Sequence, residues 1–160
     1  MKKGIILLVC VLAVSFGTSA QVFDKNALGL KFGGATGDFY GVGAQISYQR
    51  GLSSINRLEL NLALNSNNSY TTFAIGGIYQ WVWNIEGGFN WYVGPGASIG
   101  LASVKNGGSD LLFGLVGALG LEYRFPEVPI QLALDINPTF GLINDEGFYT
   151  TIGLGVRYCF

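Results

Sequence analysis

Seven charged residues have the types and spacing to act together: Lys31, Arg57, Arg124 and Arg157 against Glu59, Glu122 and Asp135. Each lies in a stretch where apolar residues occupy every second position, and each falls on the other face. Such a set can do one of two things. A near-balanced group enclosed by the chain forms an internal salt-bridge network, because buried charges are costly unless paired and hydrogen-bonded. Alternatively, the same charges line a constriction through which ions pass. Acid–base catalysis needs a partner chemistry that is scarce here. There is no histidine, so no Ser–His constellation or His-based metal site can be assembled, and no phosphate-cradling loop is present. Asp145-Glu146 is a short acidic turn, expected to be a solvated tip. The sequence therefore implies no enzyme, no cofactor and no metal.

The elements that position these charges are strands. The segment Phe148 to Phe160, FYTTIGLGVRYCF, is the clearest. Phe148, Ile152, Leu154, Val156, Tyr158 and Phe160 share one face. Tyr149, Thr151, Gly153, Gly155, Arg157 and Cys159 share the other. This period of two is that of a strand with two different surroundings. Seven earlier segments read alike: 27–34, 39–50, 56–65, 70–83, 87–103, 111–125 and 129–142. Turn residues separate them, as in Ser66-Asn67-Asn68-Ser69 and Asn106-Gly107-Gly108-Ser109. Pro95 and Pro138 fall inside strands and each is expected to mark a bulge, because a closed sheet has no edge to accommodate a missing N–H.

The first residues set the compartment. Met1-Lys2-Lys3 is a positive start, Gly4 to Phe16 is apolar and uncharged, and Thr18-Ser19-Ala20 supplies small residues for cleavage. The apolar run is shorter than the roughly 20 residues a membrane-spanning helix needs. Residues 1–20 are expected to be a signal peptide cleaved after Ala20, and 21–160 one domain. Removing Lys2 and Lys3 takes the formal charge from −1 to −3, which is no nucleic-acid-binding pattern. Without Cys10, Cys159 has no partner in the chain for a disulfide.

Composition decides which face points out. The chain is 49% hydrophobic and 12% charged, against roughly 25% charged in soluble proteins. A soluble lipocalin-like barrel has an apolar interior and a polar exterior. Here the polar face carries Gly43, Gly94, Gly96, Gly120, Gly153 and Gly155, which suit a crowded interior and make a poor solvated surface. Aromatics sort into two levels. Trp81, Trp83, Trp91, Tyr123, Tyr158 and Phe160 form a girdle at the strand ends near the termini, while Tyr40, Phe73, Phe113, Phe140 and Phe148 lie toward the other end. Two girdles with aliphatic residues between them match two membrane interfaces.

The Ala20-Gln21 junction, the Gly-x-Gly strands and the terminal Tyr158-Cys159-Phe160 resemble the small eight-stranded outer-membrane β-barrel family of Gram-negative bacteria, in its short Bacteroidetes-type form. The fold expected is all-β: an eight-stranded antiparallel up-and-down transmembrane β-barrel behind a cleavable signal peptide. The resemblance implies a monomer in the outer membrane, in contact with lipid and lipopolysaccharide, and inserted by the barrel-assembly machinery through its C-terminal strand. The family hosts anchors, adhesins, ligand binders and a few enzymes, so fold alone leaves function open. The seven charges are expected to plug the half of the lumen near the termini, giving a structural or anchoring role in the envelope. Tyr70, Thr72, Ser98, Leu112, Val116 and Tyr149 would line a weakly polar cup at the other end. That cup is the basis of the alternative, a barrel that binds or transports a small apolar molecule.

Overall fold

Alternation of large apolar with small or polar residues leaves each segment with one face for hydrocarbon and one for the interior, and closure removes the sheet edges. The computed structural model describes residues 23–37, 41–66, 70–104, 107–143 and 147–160. The expected signal peptide, Tyr40 and the acidic turn Asp145-Glu146 lie outside them. The described residues form eight strands: β1 (Asn26–Gly37), β2 (Gly41–Gly51), β3 (Asn56–Ser66), β4 (Tyr70–Glu86), β5 (Phe89–Val104), β6 (Ser109–Arg124), β7 (Ile130–Ile143) and β8 (Phe148–Cys159). They pair in sequence order as a closed barrel. Every pairing is antiparallel, and β1 closes on β8 from Ala27↔Cys159 to Gly37↔Tyr149. Beyond the last strand, Phe160 exchanges two backbone hydrogen bonds with Asn26, at 2.9 and 3.0 Å.

The barrel is inverted relative to a soluble protein. Leu30, Leu60, Leu119, Leu134 and Leu154 are exposed on the outside, whereas Lys31, Glu59, Glu122, Asp135 and Arg157 are buried within. β7 shows the pattern without interruption: Ile130, Leu132, Leu134 and Ile136 face out, and Gln131, Ala133, Asp135 and Asn137 face in.

The aromatics near the termini meet both across strands and along them. Trp83 opposes Trp91 and stacks on it with ring centroids 4.6 Å apart. Phe89 opposes Tyr123 at 4.5 Å, and Tyr123 meets Phe125 edge-on at 4.8 Å. Tyr79 and Trp81 make an edge contact at 5.2 Å, and Tyr158 stacks beside Phe160 at 6.2 Å. Toward the other end, Phe140 pairs with Phe148 across β7 and β8, both exposed.

The two prolines do not mark bulges. Pro95 stands opposite Gly117 in an unbroken β5–β6 register. On its β4 side pairing passes from Ile78↔Gly96 to Trp81↔Val93 with the register kept. Pro138 stands opposite Thr150 in an unbroken β7–β8 register, and on the β6 side pairing passes from Val116↔Thr139 to Leu119↔Ile136. In an antiparallel ladder a residue directs its N–H and C=O to the same neighbour. A proline thus opens the ladder on one side and leaves the other to hold the register. The shifts that do occur lie between Asn84 and Glu86, beside the β4–β5 turn, and between Phe113 and Gly114. In that turn Gly87 has a φ of 54°, a conformation that favours glycine. The Asn84 amide ties the turn down by donating to the Gly87 and Phe89 carbonyls.

Candidate functional site: the charged lumen

Strand register brings the inward charges of β1, β3, β6, β7 and β8 to one level. Glu59 is the hub. Its Oε1 accepts from Lys31 Nζ at 2.9 Å, Ser47 Oγ at 3.0 Å and Arg157 at 3.1 Å. Its Oε2 accepts from the amides of Gln49 at 3.0 Å and Gln80 at 2.7 Å. Asp135 lies 3.0 Å from Lys31 Nζ and accepts from the Tyr92 hydroxyl at 3.0 Å and the Asn137 amide at 2.8 Å.

Glu122 is the second centre. Arg57 grips it with both terminal nitrogens, at 3.0 and 2.7 Å. The amides of Gln131, at 2.6 Å, and Asn90, at 3.3 Å, donate to it as well. Gln80 joins the two centres. It accepts from Arg57 Nε at 2.6 Å while donating to Glu59. Lys31, Arg57 and Arg157 thus balance Glu59, Glu122 and Asp135, and all six side chains are at most 4% exposed. A balanced, multiply bonded set is the condition under which buried ions persist in a low-dielectric interior.

An apolar band completes the closure. Phe23, Ile78, Val82, Tyr92 and Ala118 pack together in the lumen. The Arg57 guanidinium lies 4.8 Å from the Tyr92 ring centroid and 5.6 Å from that of Phe23, within cation–π range. Gly120 makes room for Tyr92. A Cβ there would overlap the Tyr92 ring and its hydroxyl.

Six of the seven charges expected to cooperate are brought together. Arg124 is not among them. It ends β6, two residues past Glu122, which at a strand rise of about 3.4 Å per residue sets it roughly 7 Å further toward the mouth. There its side chain is 30% exposed and pairs with Asp24, just ahead of β1. The neutral members, Ser47, Gln49, Gln80, Asn90, Tyr92, Gln131 and Asn137, escaped the sequence reading, which counted charges. Their signal was parity: each falls on the same face as the charged residues.

Of the six residues assigned to the cup, five line upper-lumen cavities. Ser98, Val116 and Tyr149 border a space of about 90 Å³ that also touches Asn61, Ile78 and Asn137. Thr72 and Leu112, with Ser98 and Tyr149, border an adjoining one of about 50 Å³. Tyr70 begins β4, and its side chain lies outside the described residues. Of the girdle residues, Trp81, Tyr158 and Phe160 are exposed on the outer surface, whereas Trp83, Trp91 and Tyr123 are half-buried against their aromatic neighbours.

The architecture has counterparts among solved structures. Neisserial surface protein A matches with a TM-score of 0.69 and 18% identity, over 84% of this chain and 96% of that one. The N-terminal β-barrel domain of Pseudomonas aeruginosa OprF matches with a TM-score of 0.65 and 19% identity, over 84% of this chain and 98% of that one. Ail, the attachment invasion locus protein of Yersinia pestis, solved with the heparin analogue sucrose octasulfate, matches with a TM-score of 0.56 and 15% identity, over 83% and 95%. These are small eight-stranded outer-membrane β-barrels. This chain has their fold. No protein-family model matches the sequence, and neither does any curated protein.

Proposed function

We propose that this protein is an integral outer-membrane barrel of non-catalytic, structural or anchoring role, with a lumen sealed against ions. The observation that carries the reading is the charge-balanced network around Glu59 and Glu122, which reaches across the lumen between walls and pairs each of its own carboxylates, Glu59, Glu122 and Asp135. A pore needs a hydrated path lined by accessible charge. Here the network's carboxylates are consumed by its cations and by neutral amides and hydroxyls. The exposed apolar exterior and its aromatic levels favour a position across lipid. The Bacteroidetes-type affiliation, export with cleavage after Ala20, contact with lipopolysaccharide, insertion through β8 by the assembly machinery, and a monomeric state belong to the same proposal.

Two measurements test it. Fractionation and mass spectrometry of the mature N-terminus should place the protein in the outer membrane, beginning at Gln21. Planar-bilayer recordings of the refolded barrel should give no steady conductance, and a persistent ion-selective current would replace the plug with a channel.

A further inference from the structure

The upper lumen combines apolar wall with buried polar groups that lack partners. Its two cavities, about 90 and 50 Å³, share Asn65, Ala74, Ser98 and Tyr149 and so adjoin. Three residues that line them carry a buried polar atom with no hydrogen-bond partner among the described residues: Asn61 Oδ1, Asn137 Oδ1 and Thr72 Oγ1. Their residues are 8%, 7% and 8% exposed, so each is more than nine-tenths buried. Buried acceptors without partners are costly, and a ligand that supplies donors relieves the cost.

The orientation of Asn137 is fixed. Its amide nitrogen donates to Asp135 at 2.8 Å, and Asp135 is itself held by Lys31 and Tyr92. The amide cannot flip without breaking that bond, so its oxygen remains the free acceptor. Among the described residues no charged side chain lines either cavity; Lys31 and Asp135 line a smaller space of about 10 Å³ that shares Asn65 and Asn137 with the larger one, and they are paired with each other. An ion entering here would lose hydration and meet only charges that are already paired. Ala63, Ala74, Ile78 and Val116 supply apolar wall.

We propose that the cup binds a small uncharged molecule bearing at least two hydrogen-bond donors, of which a primary amide is the simplest. The larger cavity holds about three waters' worth of volume at ~30 Å³ each, enough for a molecule of a few non-hydrogen atoms. Its NH₂ would meet the free acceptors, and its carbon end the alanine and valine wall. This site is independent of whether the lumen below conducts.

The test is an NMR titration of the full barrel in lipid nanodiscs with acetamide, following the side-chain amides of Asn61 and Asn137. Saturable shifts are expected for both. Ala63→Leu, which fills the cavity, should weaken binding at least about tenfold while keeping the folded barrel's gel mobility; Val116→Phe, from β6, takes its place if Ala63→Leu does not fold. Parallel titrations use xenon and ammonium chloride. A linear acetamide drift, or saturation that the filling variant leaves intact, overturns the site. Saturation by xenon with acetamide silent restores the apolar cup, and saturation by ammonium alone makes it a cation site; either outcome refutes the proposal.

Discussion

Arg57 on β3 and Glu122 on β6 clasp each other through two parallel hydrogen bonds, at 3.0 and 2.7 Å, with β4 and β5 between their strands in the barrel wall. The pair therefore ties non-adjacent strands through the lumen, which backbone ladders cannot do. Removing either partner leaves a buried ion alone. Arg57→Met or Glu122→Leu should each lower stability by about 3–5 kcal/mol, whereas the double replacement should cost much less than their sum. Urea titration in lipid vesicles, followed by tryptophan fluorescence, gives the double-mutant cycle.

Arg124 and Asp24 make the contrasting case. Their side chains are 30% and 29% exposed at the lumen mouth. Screening by water limits such pairs to about 0–1 kcal/mol. Arg124→Ala should therefore fall within that range, although Arg124 shares a strand and a face with Glu122. A loss as large as that of Arg57→Met would return Arg124 to the network.

Gly120 should be sensitive to a single methyl group. The added Cβ would overlap the Tyr92 ring, and overpacking costs roughly 1–3 kcal/mol. Displacing the ring also strains the bond from its hydroxyl to Asp135. In a Tyr92→Ala background the Gly120→Ala penalty should vanish. If it persists there, the steric account is wrong.

Depth in the membrane should grade the outer face. Leu154 is at the middle of β8 and 65% exposed, whereas Ile130 begins β7 and is 38% exposed. Arginine at Leu154 should cost about 2–4 kcal/mol, and at Ile130 about 0–1. Equal penalties in a refolding titration would argue against a membrane axis running from β7's start to its end.

The sequence carried the fold because alternation is a local property. Leu58, Leu60, Leu62 and Leu64 announce a strand and its faces without reference to any other segment, and eight such segments with turn residues between them leave few alternatives to an up-and-down barrel. The direction of inversion was legible too, because a face built largely of glycines such as Gly153 and Gly155 makes a poor solvated surface while the alternate face carries Leu154 and Val156.

Three features were decided only by the closed structure. Parity says which side of the wall a residue faces but not its height, and height follows from the stagger between strands. That is why Arg124 reads like Glu122 in sequence and yet lies at the mouth. Neither Pro95 nor Pro138 displaced the register, because the neighbour on the intact side of each already fixed it. Gln80 could join Glu59 to Arg57 only after β3 and β4 had paired as Glu59↔Ile78 and Arg57↔Gln80. The local period fixed which side chains enter the lumen, and the stagger of eight strands around a closed circumference fixed which of them meet.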